Sequence, residues 1–145
     1  MYVAIDVGSN TVRMLIGQIN QGRLFPVRYE RAITRLGGDL DLTTGLAEES
    51  MQRTLVALKS FSEILQVKSP LAIRTVGTAA LRRASNGDDF VNKVAEQTNL
   101  NLEIIDGHQE AVLCSLGVLE ALSPRPKNSL IIDIGGGSTE LVLLE

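Results

Sequence analysis

Val3-Ala4-Ile5-Asp6-Val7-Gly8-Ser9-Asn10-Thr11 stands near one end of the chain, and Leu130-Ile131-Ile132-Asp133-Ile134-Gly135-Gly136-Gly137-Ser138-Thr139 stands near the other. The second stretch repeats the plan of the first. Each is an apolar run, an aspartate and a turn of small residues. Val12-Arg13-Met14-Leu15-Ile16 then follows the first copy, and Glu140-Leu141-Val142-Leu143-Leu144 follows the second. The pattern reads as a buried strand, a tight turn and a returning strand. Glycines in such a turn let backbone N–H groups face an anion with no Cβ in the way. An aspartate at the strand end can hold a metal ion that accompanies phosphate. Two such loops facing each other would grip a phosphate chain from both sides, so the repeat points to phosphoryl chemistry. A single Asp-x-Gly turn would be only a hairpin; it is the recurrence that carries the reading.

Between the two copies the pattern alternates strand and helix. Residues 2–7 and 12–19 form a hairpin, and 23–35 reads as a third strand, with Pro26 marking an edge or bulge. Met51, Leu55, Leu58, Phe61 and Leu65 recur at three- and four-residue steps, which predicts an amphipathic helix over about 47–66. A short strand at 71–76 follows. Gly77-Thr78 is expected to cap a helix at 79–84, and Asn86-Gly87-Asp88 to break it before a helix lined by Phe90, Val91, Val94 and Ala95. A strand at 102–105 and a helix over about 109–122, ended by Pro124 and Pro126, precede the second hairpin at 129–144. The helices at 47–66 and 109–122 are expected to cover one face of a central sheet. Periodicity supports a mixed α/β sheet with helices on its faces.

Composition narrows the function classes. With 145 residues, 44% hydrophobic, the chain can bury one ordinary core. A net charge of −3 offers no global attraction for nucleic acid or membrane. Two Tyr, three Phe and no Trp argue against base-stacking platforms. Cys114, the single cysteine, fits a reducing cytoplasm and reads as a buried structural thiol among Val112, Leu113, Leu116 and Val118. No stretch reaches the roughly 18–20 apolar residues of a membrane span, and no basic-then-apolar leader opens the sequence. His108, the only histidine, reads as a loop residue at a cleft edge rather than a metal ligand.

These residues together resemble the exopolyphosphatase and guanosine pentaphosphate phosphatase family of the actin-like ATPase superfamily. The resemblance runs through Asp6-Val7-Gly8-Ser9-Asn10-Thr11, Arg35-Leu36-Gly37, Thr78-Ala79-Ala80-Leu81-Arg82, Asp106-Gly107-His108-Gln109-Glu110-Ala111 and Asp133-Ile134-Gly135-Gly136-Gly137-Ser138-Thr139-Glu140. It implies a ribonuclease H-like fold, in which residues 1–127 form a first actin-like domain and 128–145 the first hairpin of a second. It also implies Mg²⁺-dependent hydrolysis of terminal phosphoanhydride bonds in polyphosphate or guanosine pentaphosphate.

By the same resemblance Glu110 is the general base and Arg82 neutralises charge on the transferred group. Asp133 and Glu140 hold Mg²⁺, with Asp6 facing them. Gly8, Ser9, Asn10 and Thr11 bind phosphate with Gly135, Gly136, Gly137, Ser138 and Thr139. Gln109 departs from the family, where many relatives carry a second acidic residue, and this leaves Glu110 as the one candidate base there. Family members continue past the second hairpin, so the 145 residues by themselves are expected to be inactive. Their apolar edge at 141–144 is expected to pair with another copy of the chain, giving a homodimer. An actin-like kinase or ATPase, and a non-catalytic sensor of a phosphorylated nucleotide, are the alternative readings of the same loops.

Overall fold

Alternation in the first strand decides the core. Val3, Ile5 and Val7 are buried while Tyr2 and Ala4 are exposed, the period-two signature of a strand with one covered face. The computed structural model describes residues 1–144, and the strand is β1, Tyr2–Val7. It pairs antiparallel with β2, Thr11–Asn20, so that Val7, Ile5 and Val3 face Val12, Met14 and Ile16. Those three partners have no exposed surface. β3, Arg23–Ile33, pairs antiparallel with β2, and the register slips by one residue where Gly17 meets Pro26, the bulge that proline demands.

The chain then crosses through α1, Glu48–Gln66, to β4, Ala72–Gly77, which lies parallel to β1. α2, Ala79–Arg83, and α3, Gly87–Thr98, lead to the short β5, Leu102–Ile104, parallel to β4. The sheet runs β3-β2-β1-β4-β5. This is the mixed α/β arrangement that the sequence pattern predicts. Met51, Leu55, Leu58, Phe61 and Leu65 of α1 are buried, with Phe90 and Val94 of α3, in one core cluster with the inward strand residues. Each such side chain contributes about 1.5–3 kcal/mol relative to exposure.

α4, Gly107–Ala121, departs from expectation. It does not share in covering that face: its one fully buried residue is Ser115, while Val112, Leu113 and Leu116 are exposed. It packs instead beside a separate hairpin, β6, Ser129–Ile134, and β7, Thr139–Leu144. Leu130, Ile132, Ile134, Leu141 and Leu143 stand exposed on that hairpin, while Val142 and Leu144 are half-buried. Among the described residues, no helix is long and apolar enough to cross a membrane.

For function, the useful consequence is placement. Asp6 near the end of β1, Thr78 just past β4 and Glu110 in the first turn of α4 all fall at one end of the sheet, beyond the carboxyl ends of its parallel strands. In open α/β sheets that end is where ligands bind.

Candidate active site

The two turns are built alike. Gly8 N–H donates to Thr11 O at 3.0 Å in one, and Gly135 N–H donates to Ser138 O at 3.0 Å in the other. A Cβ on Gly8 would lie 3.1 Å from Thr11 O, and one on Gly135 would lie 3.2 Å from Ser138 O, so a side chain at either leading position crowds the turn's own backbone. The turns also touch. A Cβ on Gly136 would sit 3.1 Å from Asn10 Cβ, and one on Gly137 would run into Ser9 Oγ. Between them lies a cavity of about 350 Å³.

Most of the residues singled out in the sequence line this cavity: Asp6, Gly8 through Thr11, Glu110, Asp133, and Gly135 through Ser138. Arg82, Thr139 and Glu140 do not. Thr139 is the first residue of β7, paired with Ile134. His108 lies in the first turn of α4 instead of a loop and is exposed outside the cavity. Thr78 makes no side-chain cap for α2 and forms part of the cavity wall.

Glu110 is delivered by a well-made helix start. Asp106 accepts from Gln109 N–H at 2.7 Å, and Gln109 Oε1 accepts from Asp106 N–H at 3.1 Å, a reciprocal capping box. Gln109, the departure from the family, thus has structural work at the helix start. Glu110 Oε2 lies 3.0 Å from Arg82 Nη1, which also donates to Ile105 O at 2.8 Å. Arg82 and Glu110 side chains are only 26% and 17% exposed. Burial pushes the Glu110 carboxyl up, Arg82 opposes this, and the charges of Glu140 and Asp6 push it further up.

Asp6 is raised too, chiefly by burial and also by Asp133, against the pull of Arg13 at 3.9 Å. Cys114, expected to be buried, is half-buried, and its thiol is pushed up to about 11 by burial, hydrogen bonding to Asp133 and the fields of Asp133, Glu140 and Glu110. A shift in that direction favours the thiol over the thiolate near neutral pH and argues against a nucleophilic role.

Carboxylates from three parts of the chain therefore share one electrostatic field. Among the described residues no three His, Cys, Asp or Glu converge closely enough to hold a metal by themselves. That donor set suits a hydrated hard cation held by one or two carboxylates and by substrate oxygens, not a closed cage.

The sequence reading missed two cations. Arg13 and Arg31 face each other across β2 and β3 and both line the cavity, and Arg31 has no ion-pair partner among the described residues. Like charges directly opposite in a sheet repel, and an anion in the cavity would relieve them. The available signal was alternation: Asp6 pairs with Arg13, and Arg13 with Arg31, all on one face.

Comparison with known proteins identifies the family. The sequence model of the Ppx/GppA phosphatase family matches residues 15–145. The chain belongs to that family. An exopolyphosphatase from Cytophaga hutchinsonii superposes with a TM-score of 0.91 at 34% identity, covering 98% of this chain and 46% of that one. The Aquifex aeolicus PPX-GPPA enzyme superposes with a TM-score of 0.87 at 34% identity, covering 98% of this chain and 47% of that one. This Ppx/GppA chain thus spans less than half the length of both.

Proposed function

We propose that this chain carries the phosphate-gripping half of a Mg²⁺-dependent phosphatase that releases terminal phosphate from inorganic polyphosphate or guanosine pentaphosphate. One observation supports this above the others: two glycine turns with the same closing hydrogen bond meet over a cavity that also holds the raised carboxyl of Glu110. Turn amides donate to the phosphate oxygens, and Arg13 and Arg31 neutralise charge further along the anion. Glu110 takes a proton from water as the water oxygen bonds to the terminal phosphorus. The bridging P–O bond breaks, and the shortened phosphate chain leaves with the electron pair. Bound Mg²⁺ would offset charge on the phosphate oxygens, held through Asp133 and Glu140 with Asp6 opposite. Arg82 works through Glu110, orienting its carboxylate.

On this reading residues 1–127 form one actin-like domain and 128–145 open a second. The 145 residues alone then have little turnover, because orientation between two halves of a cleft supplies about 7–11 kcal/mol of such a barrier. The decisive test joins this domain to the remainder of a relative's length and compares wild type with Glu110→Gln. Phosphate release should fall about 10²–10⁴-fold with substrate affinity retained. Near-normal turnover removes Glu110 from the role.

A further inference from the structure

The segment between β3 and the loop that precedes α1 touches the first phosphate turn without entering the cavity. Thr34 and Arg35 N–H groups both donate to Asn10 O, at 3.1 and 3.0 Å, and Gly37 N–H donates to Ser9 O at 2.8 Å. In a trans peptide the carbonyl and the following N–H point opposite ways. Drawing the Ser9 and Asn10 carbonyls toward this segment therefore turns the Asn10 and Thr11 N–H groups away from it. Asn10 and Thr11 line the cavity with Gly8 and Ser9, and no residue of 34–38 does.

Each part of the segment is held to this task. Arg35 sits at φ 51°, a left-handed conformation rare for a residue with a side chain, and it lets two successive N–H groups reach one oxygen. Leu36 has no exposed surface and anchors the turn in the core. A Cβ on Gly37 would lie 3.2 Å from both Ser9 Cβ and Ala80 Cβ. A side chain at position 37 therefore makes Ser9 or Ala80 give by a few tenths of an ångström. Arg53 ties the segment to α1: its Nε donates to Thr34 O at 3.0 Å and its Nη2 to Ser50 Oγ at 2.7 Å.

We propose that the Thr34–Gly38 turn is a positioning brace for the first phosphate loop, with Gly37 setting the place of Ser9 and Arg53 locking the brace to α1. The proposal rests on the reading of that loop as a phosphate site. The test uses the 145-residue chain with inorganic tripolyphosphate and Mg²⁺, following the Asn10 and Thr11 amides by NMR and the affinity by calorimetry. Wild type should bind with shifts at those amides. Gly37→Ala should bind at least tenfold more weakly, with core amides such as those of Phe90 and Val94 unmoved. Gly117→Ala, whose added Cβ meets nothing within 4 Å, should bind as wild type does.

Arg53→Leu should weaken binding in the same direction, with Arg53→Lys recovering part of it, and this pair decides if Gly37→Ala fails to fold. Equal binding by wild type and the folded variants overturns the brace and leaves the site standing. No tripolyphosphate binding by wild type overturns the site, and the brace with it.

Discussion

Replacing Arg82 by methionine separates two roles that an arginine near a phosphate site can have. The substitution keeps the length and the apolar stem and removes the cation and its donors. In the structure Arg82 contacts Glu110 and Ile105 O, and it does not line the cavity. Its pull is what opposes burial and the charges of Glu140 and Asp6 at the Glu110 carboxyl, so its loss should raise that carboxyl further. A hydrogen bond to a charged group contributes about 1.5–3 kcal/mol, and the residual exposure of both side chains, 26% and 17%, favours the low end. At about 1.4 kcal/mol per factor of ten, the ratio of ionised to protonated Glu110 should fall about tenfold at any pH along its titration.

Carboxyl-resolved NMR of the 145-residue chain without phosphate reads this directly, as a Glu110 midpoint moved toward neutral pH. An unmoved midpoint refutes the idea that Arg82 acts through Glu110. The rate carries the same signature in a catalytically competent protein: the acid limb moves up while activity recovers at higher pH. A direct contact with the transferred phosphate would instead cost the same at every pH. Stability follows in the opposite sense. With its folded value raised above the ordinary carboxyl value, ionised Glu110 lowers stability at neutral pH. That loss is relieved as pH falls through the raised value toward the ordinary one.

Asp133→Ala should abolish Mg²⁺-dependent phosphate release and Glu140→Ala should weaken it more mildly, since water can replace one ligand. A Mg²⁺ titration unchanged in both variants moves the cation elsewhere. Phe90 has no exposed surface whereas Leu116 is 60% exposed. Phe90→Ala should therefore cost about 3–5 kcal/mol in denaturant unfolding, and Leu116→Ser less than about 0.5 kcal/mol; equal losses would refute the packing described for α3 and α4. The five exposed apolar side chains of β6 and β7 should drive association of the 145-residue chain. Sedimentation with and without residues 128–145 tests this, and a strictly monomeric species at high micromolar concentration excludes it.

The elements were legible because their signals are local. Alternation at Val3, Ile5 and Val7 marks a strand whatever lies beside it, and the three- and four-residue steps from Met51 to Leu65 mark a helix; α1 spans Glu48–Gln66 against the expected 47–66. What failed depended on partners. Val112, Leu113 and Leu116 carry the same apolar signal as buried residues, yet no element among the described residues lies over them. Thr78, expected to cap α2, takes its N-cap position, and Asn86 takes that of α3, yet neither side chain makes a cap hydrogen bond. Asn86 uses its amide on Leu46, accepting from the backbone N–H at 2.7 Å and donating to the backbone O at 3.1 Å. Thr78, at φ −115° and ψ −142°, makes no cap hydrogen bond with its side chain.

The site divides along the same line. Gly8 and Gly135 announce themselves, because the bond that closes each turn lies within four residues of sequence. Nothing local announces that Ser9 fits against Gly137, that Asn10 meets Gly136, or that Arg31 comes to stand beside Arg13. Yet these non-local contacts turn two hairpins into the walls of one cavity. Each turn alone can present a few amides to one phosphate, as many glycine turns do. Their contact fixes the distance between the two sets, and the carboxylates of Asp6, Glu110 and Asp133 occupy the space that contact leaves. On the proposed function, selectivity for a phosphate chain over a single phosphate would reside in the joint between the turns. A substitution that preserves both motifs but alters that joint should change which anion binds before it changes whether the chain folds.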